Sequence, residues 1–240
     1  MQYFISDCHL APERPEITQA FFRFLETTAS NANALYILGD FFDAWLGDDD
    51  DSPLIGEVIK HLAAFTQHTP TFFMHGNRDF LVGEQFAKQT GVSLLAEPTI
   101  IEINHTPTLL IHGDSLCTKD EEYMGFRQMV RSTQWQQMVL AKPLDERKAL
   151  AQQMRATSQS MNSLKADDIM DVTPSEVIKL MEEHNITRLI HGHTHRPARH
   201  KLSINKQAGE RIVLGDWHQQ GWYLQADGEQ IELISFDIVK

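Results

Sequence analysis

The chain of 240 residues is 42% hydrophobic and 22% charged, which is typical of globular proteins and excludes a disordered or fibrous chain. Its 33 acidic residues outnumber its 21 basic residues, giving a formal net charge of −12. So acidic a surface repels a phosphate backbone, and a general nucleic-acid binder is therefore not expected. Cys8 and Cys117 are too few for a disulfide framework or a thiolate zinc cluster.

The N-terminal residues contain neither a basic stretch nor a long apolar run, so they do not resemble a secretory signal. No part of the chain approaches the roughly 18 consecutive apolar residues of a membrane span. We therefore expect a mature chain starting at residue 1, in the cytoplasm, whose contact with any membrane is peripheral.

Short apolar runs alternate with amphipathic ones along most of the chain. Runs that end in Gly, Asp, His or Asn predict strands at 3–6, 35–38, 71–74, 108–111 and 187–190. Helical spacing of apolar residues predicts helices at 17–29, 54–65 and 176–184. Antiparallel strands are predicted at 211–214, 222–225 and 230–236, with Asp227-Gly228 as a hairpin turn. The order predicts an α/β fold of strand–helix–strand units.

Two segments stand outside this alternation. The four aspartates at 48–51 are interpreted as a solvated loop that also caps the helix starting near Leu54. Residues 118–168 show no clear strand and are rich in helix formers, so we predict a helical insertion there, within a core made of 1–117 and 169–240. The insertion carries many of the basic residues, namely Lys119, Arg127, Arg131, Lys142, Arg147, Lys148, Arg155 and Lys165.

Metal-binding side chain types follow five of the predicted strands. The motifs are Asp7-Cys8-His9, Gly39-Asp40, Gly76-Asn77-Arg78-Asp79, His112-Gly113-Asp114 and Gly192-His193-Thr194-His195. The first four are spaced by about one strand–helix–strand unit, and the last interval is longer by about the length of the insertion. Because side chains alternate along a strand, Asp7 and His9 are expected to point the same way. A single residue of this kind is as readily a helix cap as a metal ligand. Five such motifs together predict one shared site at a sheet edge.

The types of ligand narrow the choice of metal. Imidazole, carboxylate and amide groups without thiolate suit Mn, Fe or Zn better than copper or an iron–sulfur cluster. The seven candidates exceed the needs of one ion, whereas two ions about 3.5–4 Å apart that share a carboxylate use them all. Such a pair activates a water molecule near neutral pH and holds a phosphoryl group for in-line attack. The candidates are Asp7, His9, Asp40, Asn77, His112, His193 and His195.

The set D-x-H, G-D, G-N-R-D, H-G-D and G-H-T-H resembles the calcineurin-like metallophosphoesterases. This resemblance implies a four-layer α/β/β/α sandwich, to which the helical insertion is added as a lid. It implies a first ion on Asp7, His9, Asp40 and His195. It implies a second ion on Asp40, Asn77, His112 and His193, so that Asp40 bridges the two.

Longer stretches are similar to the UDP-2,3-diacylglucosamine diphosphatases, hydrolases of lipid A biosynthesis in Gram-negative bacteria. These stretches are 7–10, 38–45, 75–81, 112–118, 161–163 with 169–172, and 191–197. The resemblance implies hydrolysis of the pyrophosphate bond of UDP-2,3-diacylglucosamine to UMP and 2,3-diacylglucosamine 1-phosphate. It implies two Mn²⁺ ions, with Fe, Zn and Mg as alternatives, and a peripheral position on the cytoplasmic face of the inner membrane, with no protein partner inferred.

The same resemblance implies roles for individual residues. It implies catalytic roles for Asp40, Asn77, Arg78 and His112. Substrate binding falls on Asn77, Arg78, Asp120, Ser158, Asn162, Lys165 and His193. Many members of the wider superfamily have His where this chain has Arg78. A pyrophosphate bond expels a phosphate monoester that needs little protonation, so a permanent cation suits the position better than a general acid. The alternative is an ion pair of Arg78 with Asp79.

The insertion is expected to lie over the metal edge and to give a di-acylated substrate an apolar slot, since methionine repacks easily around flexible chains. The candidates for its lining are Met124, Phe126, Met129, Trp135, Met138, Val139, Leu140 and Met154. The basic residues on its outer side, for which Arg131, Lys142, Arg147 and Lys148 are taken, are expected to face an anionic leaflet. An ordinary helical appendage is the alternative.

Two other functions stay open from the sequence. One is a different dimetal activity, such as a nucleotide phosphodiesterase or a protein phosphatase. The other is a binding scaffold on a degenerate phosphoesterase fold, which is disfavoured because all seven candidate ligands are present.

Overall fold

The computed structural model describes residues 1–162, 171–228 and 230–239, and shows two β-sheets packed against each other between helices. Its strands are β1 (Gln2–Ile5), β2 (Ala34–Leu38), β3 (Thr71–Met74), β4 (Ser93–Leu95), β5 (Thr99–Ile103), β6 (Thr106–Leu110), β7 (Arg188–His191), β8 (Ala198–Ile204), β9 (Gln207–Val213), β10 (Gln220–Asp227) and β11 (Gln230–Asp237). Its α-helices are α1 (Pro15–Arg23), α2 (Pro53–Thr66), α3 (Glu84–Thr90), α4 (Glu121–Val130), α5 (Thr133–Leu140), α6 (Leu144–Asn162) and α7 (Pro174–Glu183).

Both sheets are mixed. The first has the strand order β11-β10-β1-β2-β3-β4, in which β1 to β4 run parallel and β10 pairs antiparallel with β1. The second has the order β5-β6-β7-β9-β8, with β6, β7 and β9 parallel and an antiparallel strand at each edge. The first sheet therefore presents the ends of β1, β2 and β3 side by side, and the second presents those of β6 and β7.

The hydrophobic residues divide among three layers. Phe4 of β1 packs between the sheets with Leu110 and Ile190 of the second sheet. Its neighbours Tyr3 and Ile5 point to the opposite face, where α1, α2 and α3 cover the first sheet. A third cluster joins α7 to the outer face of β6 and β7. This alternation along β1 produces the α/β/β/α sandwich, and the fold class expected from the sequence is confirmed.

The connection between Asn77 and His112 differs from the expectation of one strand–helix–strand unit. After α3 the chain adds the short strand β4 to the first sheet and then starts the second sheet with the hairpin β5–β6. His112 therefore follows a strand of the other sheet. The candidate ligands converge from the edges of two facing sheets, whereas the sequence had suggested the edge of one.

Helices α4, α5 and α6 occupy the segment expected to form the insertion. Val139 of α5 lies in the main hydrophobic cluster, and Trp135 and Leu150 pack against it, so these helices are attached to the core. The division into a core of 1–117 and 169–240 and an insertion of 118–168 stays a prediction. Within the ranges described, no helix combines the length and the apolar character needed to cross a membrane.

Arg131 and Arg147 of these helices were expected on the outer side, and the structure corrects this for both. Arg127, Arg131, Arg147 and Arg155 turn inward to carboxylates: Arg127 and Arg131 to Asp114, Arg147 to Asp49 and Arg155 to Asp43. The physical reason is the acidic character of the chain, which places carboxylates at the surface that these helices cover. Only 2% of the Arg147 side chain is exposed.

The aspartate run at 48–51 also acts differently from the prediction. Asp48 accepts backbone hydrogen bonds from Gly83, Gln85 and Phe86, at the start of α3, and the Trp45 indole donates to it. It therefore caps α3 and not α2. Such a cap across 35 residues has no local sequence signature, because a cap is predicted from neighbours in the chain.

Candidate metal centre

The candidate ligands lie just beyond the strands, in an unusual backbone conformation. Asp7, His9, Asp40, His193 and His195 all have positive φ, between 48° and 69°. Strand β1 ends at Ile5, so the expected alternation along a strand does not explain why Asp7 and His9 meet. Successive left-handed residues separated by Cys8 turn both side chains into the site, while the Cys8 side chain packs in the core.

The first group of side chains consists of Asp7, His9 and His195. The Nε2 atoms of the two histidines are 3.1 Å apart, and Asp7 Oδ1 lies 3.4 Å from His195 Nε2 and 4.0 Å from His9 Nε2. The other oxygen, Asp7 Oδ2, accepts hydrogen bonds from Ser6 Oγ at 2.5 Å and from His193 N at 2.9 Å. Asp7 is thereby oriented with Oδ1 toward the imidazoles.

The second group consists of Asp40, His112 and His193, with Asn77 between the two imidazoles. Asn77 Oδ1 is 3.0 Å from His112 Nε2 and 2.8 Å from His193 Nδ1. Asp40 Oδ1 is 3.6 Å from His112 Nε2. The opposite ring nitrogen, His112 Nδ1, is 2.8 Å from Leu38 O and donates to it, so Nε2 is the nitrogen directed into the group.

This donor set fits divalent cations. Among the described residues, Asp7 Oδ1 is buried and accepts no hydrogen bond, and two imidazole nitrogens face each other beside it. Lone pairs that converge in this way repel one another unless a proton or a cation lies between them. Two such groups, each with carboxylate and imidazole atoms within 4.8 Å of one another, indicate a dimetal centre.

All seven candidate ligands are brought together, three in the first group and four in the second. By distance Asp40 belongs to the second group, and its bridging role stays a prediction. Each group draws side chains from both sheets, since Asp7, His9, Asp40 and Asn77 follow strands of the first sheet and the three remaining histidines follow strands of the second.

Burial and charge shift the proton affinities in the second group. Burial raises the pKa of Asp40 to about 7. Burial alone would lower the pKa of His112, but the Asp40 and Asp114 carboxylates raise it to about 9. His193 behaves in the opposite way, because burial and the neighbouring His112 lower its pKa to about 4. Before a cation binds, the Asp40–His112 pair therefore retains a proton near neutral pH that a metal must displace.

Asp79 joins the loops that carry Asp40 and Asn77. Its buried carboxylate accepts hydrogen bonds from the backbone N–H groups of Phe41 and Gly76 at 2.7 Å, and longer ones from Asp40 at 3.3 Å and Phe42 at 3.4 Å. The structure shows that it binds backbone donors of both loops.

Glycine allows the two closest approaches in the centre. A Cβ on Gly76 would lie 2.1 Å from Asp40 Oδ1, and one on Gly192 would lie 2.3 Å from Asp7 Oδ2. Each carboxylate therefore packs directly on the backbone of the loop beside it.

Helix α4 adds a polar network behind the second group. Asp114 accepts hydrogen bonds from Tyr123 Oη at 2.7 Å and from Arg127 Nε at 2.8 Å. The Tyr123 ring stacks on His193, with ring centroids 6.0 Å apart. Glu97 accepts from His112 N at 2.7 Å and from Arg127 Nη2 at 3.2 Å. The hydrogen bonds of Asp114 therefore connect the loop after β6 to α4.

Arg78 lies between the metal centre and Asp43. Its backbone N–H donates to Asp40 Oδ1 at 2.8 Å, its Nε is 3.7 Å from Asp40 Oδ2, and its Nη1 donates to Asp43 Oδ1 at 2.6 Å. The alternative ion pair with Asp79 is therefore not formed.

The remaining predicted substrate residues lie on or near α4 and α6. Asp120 caps the N-terminus of α4, where its side chain accepts from Tyr123 N at 3.0 Å. Ser158 and Asn162 belong to α6, and their side chains fall outside the described part of the structure, as does the whole of Lys165. Their expected roles stay predictions.

The apolar residues expected to line a slot do not all face the same way. Val139 is buried in the core, and Trp135 packs against the core and against Phe80. Met129, Met138 and Leu140 are instead exposed, at 50%, 54% and 43%. A groove of about 530 Å³ runs along α4 and is lined by Met124, Gly125, Arg127, Gln128, Arg131 and Ser132.

One residue near the first group had no signal in the sequence. Asp216 lies in the connection between β9 and β10, and its Oδ2 is 3.6 Å from His195 Nδ1. The next residue, Trp217, is fully buried and donates its backbone N–H to Asp7 O at 3.0 Å. Asp216 lies outside the ligand motifs, so only the folded structure shows that it is close to His195.

Comparison with known proteins gives the family. The sequence model of the calcineurin-like phosphoesterase family matches residues 3–197. A curated UDP-2,3-diacylglucosamine hydrolase from Cellvibrio japonicus (strain Ueda107) is 55% identical over 98% of this chain and 98% of its own. The hydrolase of that name from Pseudomonas fluorescens (strain SBW25) is 48% identical over 98% of this chain and 95% of its own. A solved archaeal phosphodiesterase aligns over 98% of this chain and 99% of its own, with a TM-score of 0.48 and 13% identity. The chain belongs to the calcineurin-like phosphoesterase family and, within it, to the family of the UDP-2,3-diacylglucosamine hydrolases.

Proposed function

We propose that this protein is a metal-dependent hydrolase that cleaves the pyrophosphate bond of UDP-2,3-diacylglucosamine, giving UMP and 2,3-diacylglucosamine 1-phosphate in lipid A biosynthesis. The observation that carries the proposal is the double group of ligand side chains, because two adjacent cation sites are suited to phosphoryl transfer. The substrate is supported by relatives of that name that match nearly the whole chain.

The residues that would hold the first ion are Asp7, His9 and His195, and those for the second are Asn77, His112 and His193, with Asp40 shared between them. Mn²⁺ is the proposed metal, since carboxylate, amide and imidazole ligands without thiolate suit it. When bound, two such ions supply Lewis acidity toward a water molecule and toward the oxygens of one phosphoryl group.

The chain's own groups position the reacting atoms. Ser6 and the backbone of His193 hold one oxygen of Asp7, so that the other is directed into the site. Leu38 O fixes the orientation of the His112 ring. Arg78, whose backbone is bound to Asp40, offers a permanent cation beside the centre. A phosphate monoester leaving group needs charge stabilisation more than a proton, and a guanidinium supplies that.

The rest of the substrate would be bound by the insertion. The proposed polar contacts to the glucosamine and phosphate groups are Asp120, Ser158, Asn162, Lys165 and His193, together with Asn77 and Arg78. Acyl chains would lie along α4 and α5, where methionine side chains are exposed. In this proposal residues 118–168 form the lid, and the core comprises 1–117 and 169–240.

We place the protein on the cytoplasmic face of the inner membrane as a peripheral protein. The support is the chemistry of a di-acylated substrate and the exposed apolar side chains of Met129, Met138 and Leu140. Because Arg131 is paired with Asp114 and Arg147 with Asp49, attraction to anionic lipid would come from exposed lysines such as Lys148. Met138→Glu is expected to weaken binding to anionic vesicles, and vesicle binding equal to that of the unaltered protein would contradict this placement.

The deciding experiment is an assay of the Mn²⁺-loaded protein on UDP-2,3-diacylglucosamine and on bis(4-nitrophenyl) phosphate. We expect the lipid to be turned over with a far higher kcat/KM and to release UMP. Asp40→Ala is expected to lose both ions and nearly all turnover, whereas Asp227→Ala, on an exposed hairpin, serves as the matched control. A preference for the aryl diester, or two bound ions in Asp40→Ala, would refute the proposal.

A further inference from the structure

Three arginines from distant parts of the chain meet at one carboxylate beside the metal centre. Asp43 accepts from Arg78 Nη1 at 2.6 Å, and its other oxygen is 2.5 Å from Arg155 Nη1. Arg155 Nη2 also donates to the backbone oxygen of Asp43 at 2.6 Å. Arg14 Nη2 is 3.6 Å from Asp43 Oδ1 and donates to His9 O at 2.5 Å.

This cluster adjoins both candidate metal groups. Arg14 is bound to the backbone of His9, a member of the first group, and Arg78 is bound to Asp40, a member of the second. Arg155 belongs to α6, so the cluster also attaches that helix to the mouth of the site. Asp43 itself lies in the loop that starts at Asp40.

The charges in the cluster do not balance. Within the part of the chain that the structure describes, three guanidinium groups surround the Asp43 carboxylate, and one of them, Arg78, also has its Nε 3.7 Å from Asp40 Oδ2, which still leaves an excess of positive charge. The side chains of Arg14, Arg78 and Arg155 are 28%, 38% and 40% exposed, so part of each guanidinium faces solvent. Each guanidinium has five N–H donors in a planar fork, and the bonds to Asp43 use at most two of them. Donors therefore remain for an anion approaching from outside.

The free N–H donors of these arginines are suited to binding a pyrophosphate substrate. The metal centre takes one phosphoryl group, whereas a pyrophosphate diester carries a second one with its own negative charge. A cluster of arginines next to the centre matches phosphate oxygens in both charge and hydrogen-bond geometry.

We propose that Asp43 holds Arg14, Arg78 and Arg155 as an anion subsite for the second phosphoryl group of a pyrophosphate substrate. The inference rests on the proposed function and names the residues that bind the half of the pyrophosphate lying outside the metal centre. Asp43 is a positioning residue in this arrangement, because it acts through the arginines that it gathers.

The test compares ligands that differ by one phosphoryl group. In the Mn²⁺-loaded protein, UDP is expected to inhibit hydrolysis of bis(4-nitrophenyl) phosphate more strongly than UMP does. Arg155→Ala and Arg14→Ala are each expected to reduce this UDP-over-UMP preference about tenfold or more, as lost charge-assisted hydrogen bonds do. Asp43→Asn is expected to reduce it as well, and Asp43→Glu to restore most of it.

The control is Arg199→Ala, because Arg199 pairs with Glu210 on the surface at 2.7 Å in the same way and lies on β8, away from the cluster. Far-ultraviolet circular dichroism checks the fold of each variant, and Arg155→Lys replaces Arg155→Ala if the alanine variant does not fold. An unchanged UDP-over-UMP preference in both the Arg155 and the Asp43→Asn variants overturns the proposal.

The same assays separate this inference from the proposed function. If UDP-2,3-diacylglucosamine is not hydrolysed but the preference for UDP is present and is lost in the variants, the subsite is supported and the proposed function fails. If the lipid is hydrolysed and the preference persists in the variants, the subsite is refuted and the proposed function is retained.

Discussion

Removing the Asp79 carboxylate is expected to destabilise the protein severely even without metal. Asp79→Ala leaves the buried N–H groups of Phe41 and Gly76 without the acceptor that each now has at 2.7 Å. A buried donor left without its acceptor costs about 1–3 kcal/mol, so these two alone predict a loss of about 2–6 kcal/mol. The longer contacts from Asp40 and Phe42 are not counted. The expected loss is a large part of the roughly 5–15 kcal/mol that stabilises a typical domain.

The measurement is urea unfolding of the metal-free protein, followed by circular dichroism. Asp50→Ala is the matched control, because Asp50 also accepts a backbone hydrogen bond, from Ser52 at 2.9 Å, but lies in a partly exposed loop. We expect the control to lose less than about 1 kcal/mol. If Asp79→Ala is too unstable to purify, Asp79→Asn, which keeps one acceptor oxygen, is expected to give an intermediate loss. A loss below about 1 kcal/mol in Asp79→Ala would show that these hydrogen bonds do not hold the two loops together.

Three further predictions concern metal binding. Asp216→Ala is expected to weaken binding of one of two Mn²⁺ ions about 10- to 100-fold, because the His195 ring loses its neighbouring carboxylate. Mn²⁺ titration followed by electron paramagnetic resonance measures the two affinities. Affinities equal to those of the unaltered protein would contradict this prediction. Gly76→Ala is expected to displace Asp40 and abolish one metal site, whereas Gly56→Ala, where a Cβ meets nothing within 4 Å, is expected to bind normally. Mn²⁺ binding is expected to release protons and to tighten from pH 6 to pH 9, because the pKa of Asp40 is raised to about 7 and that of His112 to about 9. Calorimetry in buffers of different ionisation enthalpy measures the number of protons released. An affinity for Mn²⁺ that does not change with pH would refute the role of these two side chains as ligands.

The parts of the fold that were predictable are those with local patterns. Strand β3 was predicted at 71–74 and lies at Thr71–Met74, because it is a short buried run bounded by polar turns. Strand β8 was missed, since Arg199, His200 and Lys201 are exposed at the edge of a sheet and carry no apolar alternation. Of the hairpin β5–β6 only β6 was predicted, so the sequence did not indicate that the chain changes sheets before His112.

The candidate site shows the same division. Each ligand motif is a short run of neighbouring residues at the end of a predicted strand, so the sequence alone predicts that the seven side chains form one site. Asp43, Arg14 and Arg155 come from a loop and two distant helical regions, and no spacing rule links them. The direction of Arg131 and Arg147 was mispredicted for a related reason. The pattern of charged residues in the sequence indicates the charge of a helix face. Only the folded structure shows which carboxylate each arginine contacts.

The positive φ angles of Asp7, His9, Asp40, His193 and His195 have a consequence for the stability of the fold. A left-handed backbone costs a non-glycine residue about 1–2 kcal/mol, whereas glycine adopts it freely. At each of the five positions, exchange for glycine would therefore relieve strain and remove a ligand in the same step. Folding stability and metal binding are therefore opposed at these positions, since each ligand side chain is held in a backbone conformation that glycine would adopt at lower cost.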